Sequence, residues 1–196
     1  MGKLCLVTGG ARSGKSSFAE KMARDINESV LYIATSIVFD EEMKDRVKKH
    51  RAQRPRNWDT FEGYKNLAPE VFKASKKHKG ILLDCATIMM TNLLFDIVGT
   101  TFDDAADAAN ITEIITNERL AEIETRIIKE FETFIDAVKE TSLTVIVVTN
   151  EIGFGVVPET VLGRVFRDIA GRVNQYIASR AEEVYLVVCG IEMKIK

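Results

Sequence analysis

The sequence predicts an α/β fold in which helices cover a mainly parallel β-sheet in three layers. Short apolar runs alternate along the chain with longer amphipathic stretches, a pattern typical of repeated strand and helix units. Several apolar runs are rich in Val, Ile and Leu with little polar alternation, as expected of strands buried on both faces. The predicted strands are residues 3–8, 30–35, 80–85, 143–149 and 183–188.

Amphipathic stretches between these runs predict the helices of the outer layers. They are residues 16–26, 40–53, 67–75, 111–141 and 158–180. Pro158 suits a first helical turn, where its missing amide hydrogen costs nothing. Residues 100–110 are small and acidic without clear periodicity, which favours a loop or a frayed helix start. The final residues, 190–196, are predicted to form an antiparallel edge strand whose lysines protect the edge.

The composition is that of one globular domain without a strong overall charge. Its 196 residues are 46% hydrophobic, and no repeat, linker or low-complexity tract divides them, so a single domain over residues 1–196 is expected. The formal net charge of -2 gives no basic field that would attract nucleic acid or an anionic membrane. No apolar stretch approaches the length of a membrane span, so a cytoplasmic protein is expected.

The three cysteines give no sign of a disulfide framework or a metal site. Cys5, Cys85 and Cys189 lie in apolar, strand-like runs rather than at the spacings of metal ligands. We therefore predict three small buried side chains in a reducing compartment.

A phosphate-binding loop is predicted between the first strand and the first helix. Glycines in such a loop let successive backbone amides point at phosphate oxygens, and the helix N-terminus adds partial positive charge. Lys15 would reach the β and γ phosphates, and Ser16 would hold Mg²⁺. The alternative is a glycine-rich turn without a ligand. The eight residues that fit the pattern G-x-x-x-x-G-K-[ST] are Gly9, Gly10, Ala11, Arg12, Ser13, Gly14, Lys15 and Ser16.

Polar residues at two other strand ends are further candidates. Asp84 closes the apolar run GILLDC and is the natural second metal ligand, although an Asp that caps the next helix is the alternative. Thr149, Asn150 and Glu151 leave another strand at the edge where open α/β sheets bind ligands. A turn and a helix cap explain those three residues equally well.

His50 is the candidate nucleophile because helical periodicity favours it over His78. The predicted helix 40–53 has Met43 and Val47 on one face, and His50 continues that face at the next helical step. His78 stands near a turn and is predicted to belong to a solvated charge cluster. A half-buried structural histidine is the alternative for His50.

Arginines surround His50 and would disfavour its charged form, which leaves a neutral, nucleophilic imidazole. They could also hold the phosphates of an attacked nucleotide. They are Arg46, Arg51 and Arg54.

Longer motifs extend over nearly the whole chain, except for residues 100–115. They are VTGGARSGKS (7–16), YIATS (32–36), DEEM (40–43) with the helix to His50 and then RP (54–55), TNLLF (91–95), VTNEIGFGVVPE (148–159), FRDIAGRVNQ (166–175) and VYLVVCGIEMKIK (184–196). Together they resemble the bifunctional adenosylcobinamide kinase and adenosylcobinamide-phosphate guanylyltransferase family of cobalamin biosynthesis.

The resemblance implies a fold, an activity and an assembly. It implies a P-loop NTPase fold of the RecA type and a homotrimer. Such enzymes phosphorylate the hydroxyl of the aminopropanol arm of adenosylcobinamide with ATP or GTP. They then transfer GMP from GTP to that phosphate and form adenosylcobinamide-GDP. The partners implied are therefore nucleotides, a small corrinoid and Mg²⁺.

The resemblance also assigns roles to single residues. His50 falls on the histidine that becomes guanylylated, and Lys15 would assist the departure of pyrophosphate. Glu62 would accept hydrogen bonds from the guanine or the ribose. Ser16 and Asp84 would be the ligands of Mg²⁺. Beyond the phosphate loop, the implied nucleotide contacts are Ala34, Thr35, Ser36, Arg51, Ala52, Gln53, Arg54, Glu62 and Asp84.

Two simpler functions also fit a P-loop. A small-molecule kinase with a structural His50 would transfer phosphate without a labelled protein intermediate. A GTP-dependent switch would bind a partner protein, but the chain has no N-K-x-D motif for reading guanine.

Overall fold

The computed structural model describes residues 1–26, 29–36, 55, 57–99 and 116–196. In this part of the chain the strands are β1 (Lys3–Gly9), β2 (Val30–Ala34), β3 (Asp59–Glu62), β4 (Gly80–Asp84), β5 (Thr144–Val148), β6 (Glu183–Val188) and β7 (Ile191–Lys194). The helices are α1 (Lys15–Asp25), α2 (Ala68–Ala74), α3 (Ala86–Val98), α4 (Asn117–Lys139) and α5 (Val161–Arg180).

The described strands form one sheet in the order β3-β2-β4-β5-β1-β6-β7. Every neighbouring pair is parallel except β6 and β7, which pair antiparallel at the edge. The prediction of a mostly parallel sheet with an antiparallel last strand is therefore confirmed. The parallel arrangement brings the carboxyl ends of β1 to β6 to the same edge of the sheet, where ligands bind in open α/β folds.

Helices pack on both faces of the sheet, so the predicted three layers are present. Along β1, Leu4 and Leu6 belong to the apolar cluster formed with α2 to α5, whereas Cys5 and Val7 belong to the cluster formed with α1. This alternation follows from the period of two residues in a strand. Strands β1, β4 and β5 lie between the two clusters and are apolar at almost every position, as predicted.

Side-chain caps set the starts of the two long helices. Before α4, the Thr116 hydroxyl accepts a hydrogen bond of 3.2 Å from the backbone amide of Arg119. Before α5, the Thr160 hydroxyl accepts one of 3.1 Å from the backbone amide of Gly163. The prediction of a helix beginning at Pro158 was wrong, because the Thr160 cap delays the first turn to Val161.

Two elements were not predicted. Strand β3 has only four residues, half of them exposed, so its apolar signal is weak. Helix α3 has the sequence ATIMMTNLLFDIV, and most of its residues are buried against the sheet, α4 and α5. A helix that is apolar on several sides lacks the amphipathic period by which the other helices are recognised.

Some predicted segments lie outside the described residues. They are the helix 40–53, the loop 100–110 and the start of the helix 111–141, whose described part is α4. Among the described residues, no helix is both long enough and apolar enough to span a membrane.

The cysteines divide into two buried thiols and one exposed thiol. Cys5 and Cys85 are buried as predicted, and burial raises the pKa of Cys5 to about 12 and that of Cys85 to about 11. The prediction for Cys189 was wrong. This residue is exposed because it lies in the turn between β6 and β7, where its φ of 52° is a turn conformation and not that of a strand.

His78 borders the exposed ion pair of Lys77 and Asp59, as a charge cluster would require, but its own ring is buried, so the prediction of a solvated histidine was wrong. Its ring Nδ1 lies 2.5 Å from the Ser29 hydroxyl, and its Nε2 lies 3.3 Å from an Asp59 carboxylate oxygen. These contacts join the end of α2 to the starts of β2 and β3, so the ring fills the gap between three elements. Burial lowers the pKa of His78, while the Asp59 carboxylate opposes the shift.

We expect this burial to make stability depend on pH. An unfolded histidine binds a proton near pH 6.5, whereas the buried ring resists it, so the unfolded state binds more protons as the pH falls through that value. Stability should therefore decrease on going from about pH 7.5 to about pH 5.5. Thermal melts of the wild type and of His78→Gln measure this. The wild type should show the steeper loss, and equal slopes in the two proteins would contradict the assignment to His78.

Candidate nucleotide-binding site

The predicted phosphate loop has the backbone that phosphate binding requires. It leaves β1 at Gly9 and enters α1 at Lys15, at the carboxyl edge of the sheet. Gly14 precedes the helix with a φ of 96°, a left-handed conformation that glycine adopts without strain. The loop therefore ends at the N-terminus of α1, where unpaired backbone amides and the helix dipole favour an anion.

Close packing leaves no space for a side chain at the first glycine. A Cβ atom on Gly9 would lie 2.4 Å from the Val187 carbonyl oxygen and 2.6 Å from the Ser13 hydroxyl. The turn after β6 also packs on the loop, because the Gly190 amide donates to the Ser13 carbonyl at 2.8 Å. The shape of the loop is thus fixed by β6 and the turn that follows it.

Lys15 is folded back onto the loop. Its side chain is buried, and its Nζ donates to the Gly10 carbonyl at 3.0 Å. Burial lowers the pKa of Lys15, and the nearby ionisable groups of Cys85 and Asp84 oppose the shift. A buried ammonium with one carbonyl partner can bind a phosphate oxygen with little loss, because a charged acceptor replaces a neutral one.

Two buried hydroxyls at this end of β1 have no hydrogen-bond partner within the described part of the chain. They belong to Thr8 and Ser13. An unpaired buried polar group costs about 1–3 kcal/mol. Ser13 lies within the loop itself, so an oxyanion bound there could relieve this cost.

Asp84 occupies the end of β4, as predicted. Its carboxylate is half-buried and accepts a hydrogen bond from the Tyr32 hydroxyl at 2.9 Å. Ser16, half-buried at the start of α1, is the second oxygen ligand expected for a metal ion. One carboxylate and one hydroxyl suit Mg²⁺, which keeps most of its other ligands as phosphate oxygens and water.

The sheet register brings Ala34, Glu62 and Asp84 to one level. Ala34 pairs with Glu62 on one side and with Asp84 on the other. Four strand spacings separate Glu62 on β3 from β1, a distance of about 19 Å. Glu62 is exposed at this far end, which suits contact with a base or ribose better than contact with the phosphates.

Thr35 supports the site from inside the protein. Its hydroxyl donates to the Cys85 carbonyl at 2.8 Å and accepts the Cys85 amide at 2.9 Å, and Asn92 donates to its carbonyl at 2.8 Å. The Thr35 side chain therefore joins the ends of β2 and β4. Its neighbour Ser36 is half-buried and lies nearer the surface.

The segment after β5 continues beside the phosphate loop. The Thr149 amide donates to the Val7 carbonyl and the Glu151 amide donates to the Gly9 carbonyl, both at 3.0 Å. The Thr149 side chain is fully buried and bonded to Asn174 of α5. Sequence reasoning missed Asn174, and the only signal for it was an amide on the apolar face of that helix.

A cleft of about 440 Å³ lies between α3, α4 and the segment after β3. Its lining contains none of the predicted site residues and carries charges of both signs. The lining residues are Lys65, Leu93, Asp96, Ile97, Arg126 and Glu130.

The candidate nucleophile and its neighbours lie outside the described residues. They are His50, Arg46, Arg51, Ala52, Gln53 and Arg54. Their roles therefore stay predictions.

The comparison with known families decides the class of protein. The sequence profile described as "Cobinamide kinase / cobinamide phosphate guanyltransferase" matches residues 5–195. The chain belongs to this family. The family prediction from the sequence motifs is thereby confirmed, and the α/β fold with its phosphate loop agrees with it.

Relatives from three bacteria match over almost the whole chain. The bifunctional adenosylcobalamin biosynthesis protein CobU of Escherichia coli is 45% identical over 193 residues, which are 98% of this chain and 99% of the relative. Its namesake from Salmonella typhimurium is 44% identical over the same shares. The bifunctional adenosylcobalamin biosynthesis protein CobP of Pseudomonas aeruginosa is 36% identical over 97% of this chain and 96% of its own. These relatives are named as bifunctional enzymes of adenosylcobalamin biosynthesis.

Replacement of Gly9 tests the packing of the loop. In Gly9→Ala the new methyl group would collide with the Val187 backbone, so we expect a loss of about 1–3 kcal/mol in the free energy of unfolding. Gly10→Ala is the matched control, because nothing lies within 4 Å of a Cβ atom there. Denaturant titration of both variants gives the comparison, and equal stabilities would show that the packing at Gly9 is looser than described.

Proposed function

We propose that this chain phosphorylates adenosylcobinamide with ATP or GTP and then transfers GMP from GTP to the product, giving adenosylcobinamide-GDP. The single observation that carries the proposal is the glycine loop with Lys15 at the end of β1, with Asp84 on a strand of the same sheet edge. Relatives that are 45% and 44% identical over nearly the full chain are named as bifunctional enzymes of this pathway.

The phosphate chain of the nucleotide would bind at residues 9–16. Backbone amides of the loop and the N-terminus of α1 would face its oxygens. Lys15 would exchange the Gly10 carbonyl for an oxygen of the β or γ phosphate and so oppose the charge that develops on the leaving group.

Ser16 and Asp84 would hold Mg²⁺. When bound, this ion supplies positive charge to the transferred and departing phosphates. The two residues suit it, because hard oxygen ligands are what Mg²⁺ prefers. The Tyr32 hydroxyl would keep the Asp84 carboxylate oriented, since it donates to one of the two carboxylate oxygens at 2.9 Å.

The nucleoside would extend from the phosphates towards β2 and β3. Ala34 and Ser36 would contact it where β2 ends, and Glu62 would accept hydrogen bonds from the base or the ribose. Thr35 would act by holding this edge together. The remaining proposed contacts come from the segment after the nucleophile and are Arg51, Ala52, Gln53 and Arg54.

His50 would carry the guanylyl group between two successive nucleophilic displacements at the α-phosphorus. An imidazole nitrogen attacks the α-phosphorus, the bond from that phosphorus to the β-phosphate oxygen breaks, and pyrophosphate leaves. A phosphate oxygen of the corrinoid then attacks the same phosphorus, and the phosphorus–nitrogen bond breaks to restore the imidazole. Covalent catalysis of this kind replaces one difficult step by two easier ones.

We further propose that residues 1–196 act as one nucleotide-binding and transferase domain in a homotrimer. A small corrinoid and nucleotides are its partners in this proposal. Since ATP and GTP are cytoplasmic metabolites, we place the enzyme in the cytoplasm.

Labelling with α-³²P-GTP and Mg²⁺ tests the nucleophile. Label should stay on the wild-type protein after denaturation, survive alkali and be released by acid, as a phosphoramidate is. His50→Ala should lose the label while the P-loop still binds nucleotide. His78→Gln is the matched control, since the chain has two histidines and His78 is held by Ser29 and Asp59.

The same assay separates the proposal from its simpler alternatives. Phosphorylation of adenosylcobinamide by a protein that never becomes labelled would reduce the function to a kinase. A His50→Ala variant with full guanylyltransferase activity would remove His50 from the mechanism.

A further inference from the structure

Asn150, one of the candidate residues at the strand ends, lies between the phosphate loop and Asp84 at the carboxyl edge of the sheet. It follows β5, which lies between β1 with the phosphate loop and β4 with Asp84. The residues on either side of it are bonded to β1, because Thr149 donates to Val7 and Glu151 donates to Gly9. Asn150 is therefore held level with the first glycine of the loop.

The side chain of Asn150 lies on the same side of the sheet as Lys15. Its Nδ2 is 3.9 Å from the sulfur of Cys85, which packs in the cluster formed with α1. Lys15 begins α1 and is buried one helical turn before Ala19, which packs in the same cluster as Cys85. A phosphate near Lys15 would thus have Asn150 on one flank.

Both backbone groups of Asn150 are fixed by buried side chains. Its backbone amide donates a hydrogen bond to the Thr87 hydroxyl at 2.8 Å, and its backbone carbonyl accepts one from the Asn174 Nδ2 at 3.1 Å. The Thr149 hydroxyl donates to the Asn174 Oδ1 at 2.8 Å and lies 3.2 Å from the Thr87 hydroxyl.

These contacts close a ring of hydrogen bonds with one direction. Thr149 has a single hydroxyl hydrogen and gives it to Asn174, so Thr87 must donate to Thr149. The ring therefore runs from the backbone amide of Asn150 through the side chains of Thr87, Thr149 and Asn174 back to the backbone carbonyl of Asn150. Its three side chains come from α3, the end of β5 and α5, and each is at most 8% exposed. Hydrogen bonds arranged in this way reinforce one another in a dry interior.

The ring uses the backbone of Asn150 and leaves its side chain for another purpose. Within the described residues, the side-chain amide of Asn150 makes one hydrogen-bond contact, the long one of 3.9 Å to the Cys85 sulfur, which is a weak acceptor. A half-buried side-chain amide that stands on a firmly held backbone, yet has so weak a partner, is prepared to donate to a ligand oxygen.

We propose that the side-chain amide of Asn150 binds the terminal phosphate of the nucleotide. Thr87 and Asn174 are positioning residues that hold the Asn150 backbone in place. This inference rests on the proposed nucleotide site. It extends that site from the loop and Asp84 to the strand between them.

Nucleotide affinity measures the role of Asn150 without any corrinoid. The wild type should bind GTP more tightly than GDP, and Asn150→Ala should lose about tenfold in GTP affinity with little change for GDP. Asn150→Asp should lose more, because a carboxylate would repel the terminal phosphate. Equal effects on GTP and GDP, or no effect on either, would overturn the proposal. Titration calorimetry with Mg²⁺ provides the values. GDP is used as such, and α,β-methylene-GTP stands in for GTP, because its carbon bridge prevents the transfer of GMP to His50.

Variants of the ring test the positioning role. Asn174→Ala and Thr87→Val should each lower the preference for GTP over GDP, and neither should weaken GTP binding further when combined with Asn150→Ala. Ile177→Val is the matched control, since this fully buried residue of α5 contributes to the core but lies outside the ring. It should lower stability and leave the nucleotide preference unchanged. If the ring variants behave like Ile177→Val, Thr87 and Asn174 are merely structural.

Turnover by the wild type separates this inference from the function on which it rests. A wild type that binds GTP but never modifies adenosylcobinamide would refute the proposed function and leave the binding result valid. A wild type with both activities, together with an Asn150→Ala variant that matches it in GTP affinity and turnover, would refute the inference alone. Should Asn174→Ala fail to fold, Thr87→Val decides the positioning role.

Discussion

The site depends on one constraint, the fixing of the phosphate loop between two neighbouring chain segments. The Glu151 amide bonds to the carbonyl of Gly9 on one side, and the Gly190 amide bonds to the carbonyl of Ser13 on the other. These two bonds, together with the bond from the Ser13 amide to the Gly10 carbonyl at 3.3 Å, fix the course of the loop backbone. Close contact with Val187 then requires glycine at the point where the loop leaves β1. Contacts from the segments after β5 and β6 thus fix the loop that we propose to bind phosphate, before any ligand arrives.

Polar side chains are concentrated where the strands end and are scarce along their length. The middle strands are aliphatic and buried on both faces, which gives the sheet its stability. At the carboxyl edge the same strands are joined by Thr35, Thr87, Asn92 and Asn174, all of them buried and hydrogen-bonded. The chemistry therefore rests on a rigid apolar base, and directional bonds set the relative positions of the strand ends.

Sequence patterns predicted those parts of the protein whose signals are local. Apolar runs gave β1, β4 and β5, and the spacing of glycines with Lys15 and Ser16 gave the loop between β1 and α1. The rest depends on contacts that are distant in sequence. Strand β3 is too short and exposed to be recognised without its partner β2. His78 is buried only because Ser29 and Asp59 meet it from other elements.

The candidate site divides in the same way. The sequence predicts residues 9–16 and Asp84 at strand ends, and the structure has them there, whereas their binding of a nucleotide stays a prediction. The place of Asn174 could not be predicted, since it bonds to Asn150 across 24 positions of sequence.

The position of the turn between β6 and β7 has a practical consequence. Cys189 is the accessible thiol of the chain and is adjacent to Gly190, which touches the loop at Ser13. A fluorescent dye attached there would lie beside the phosphate loop and could report nucleotide binding at the proposed site in real time.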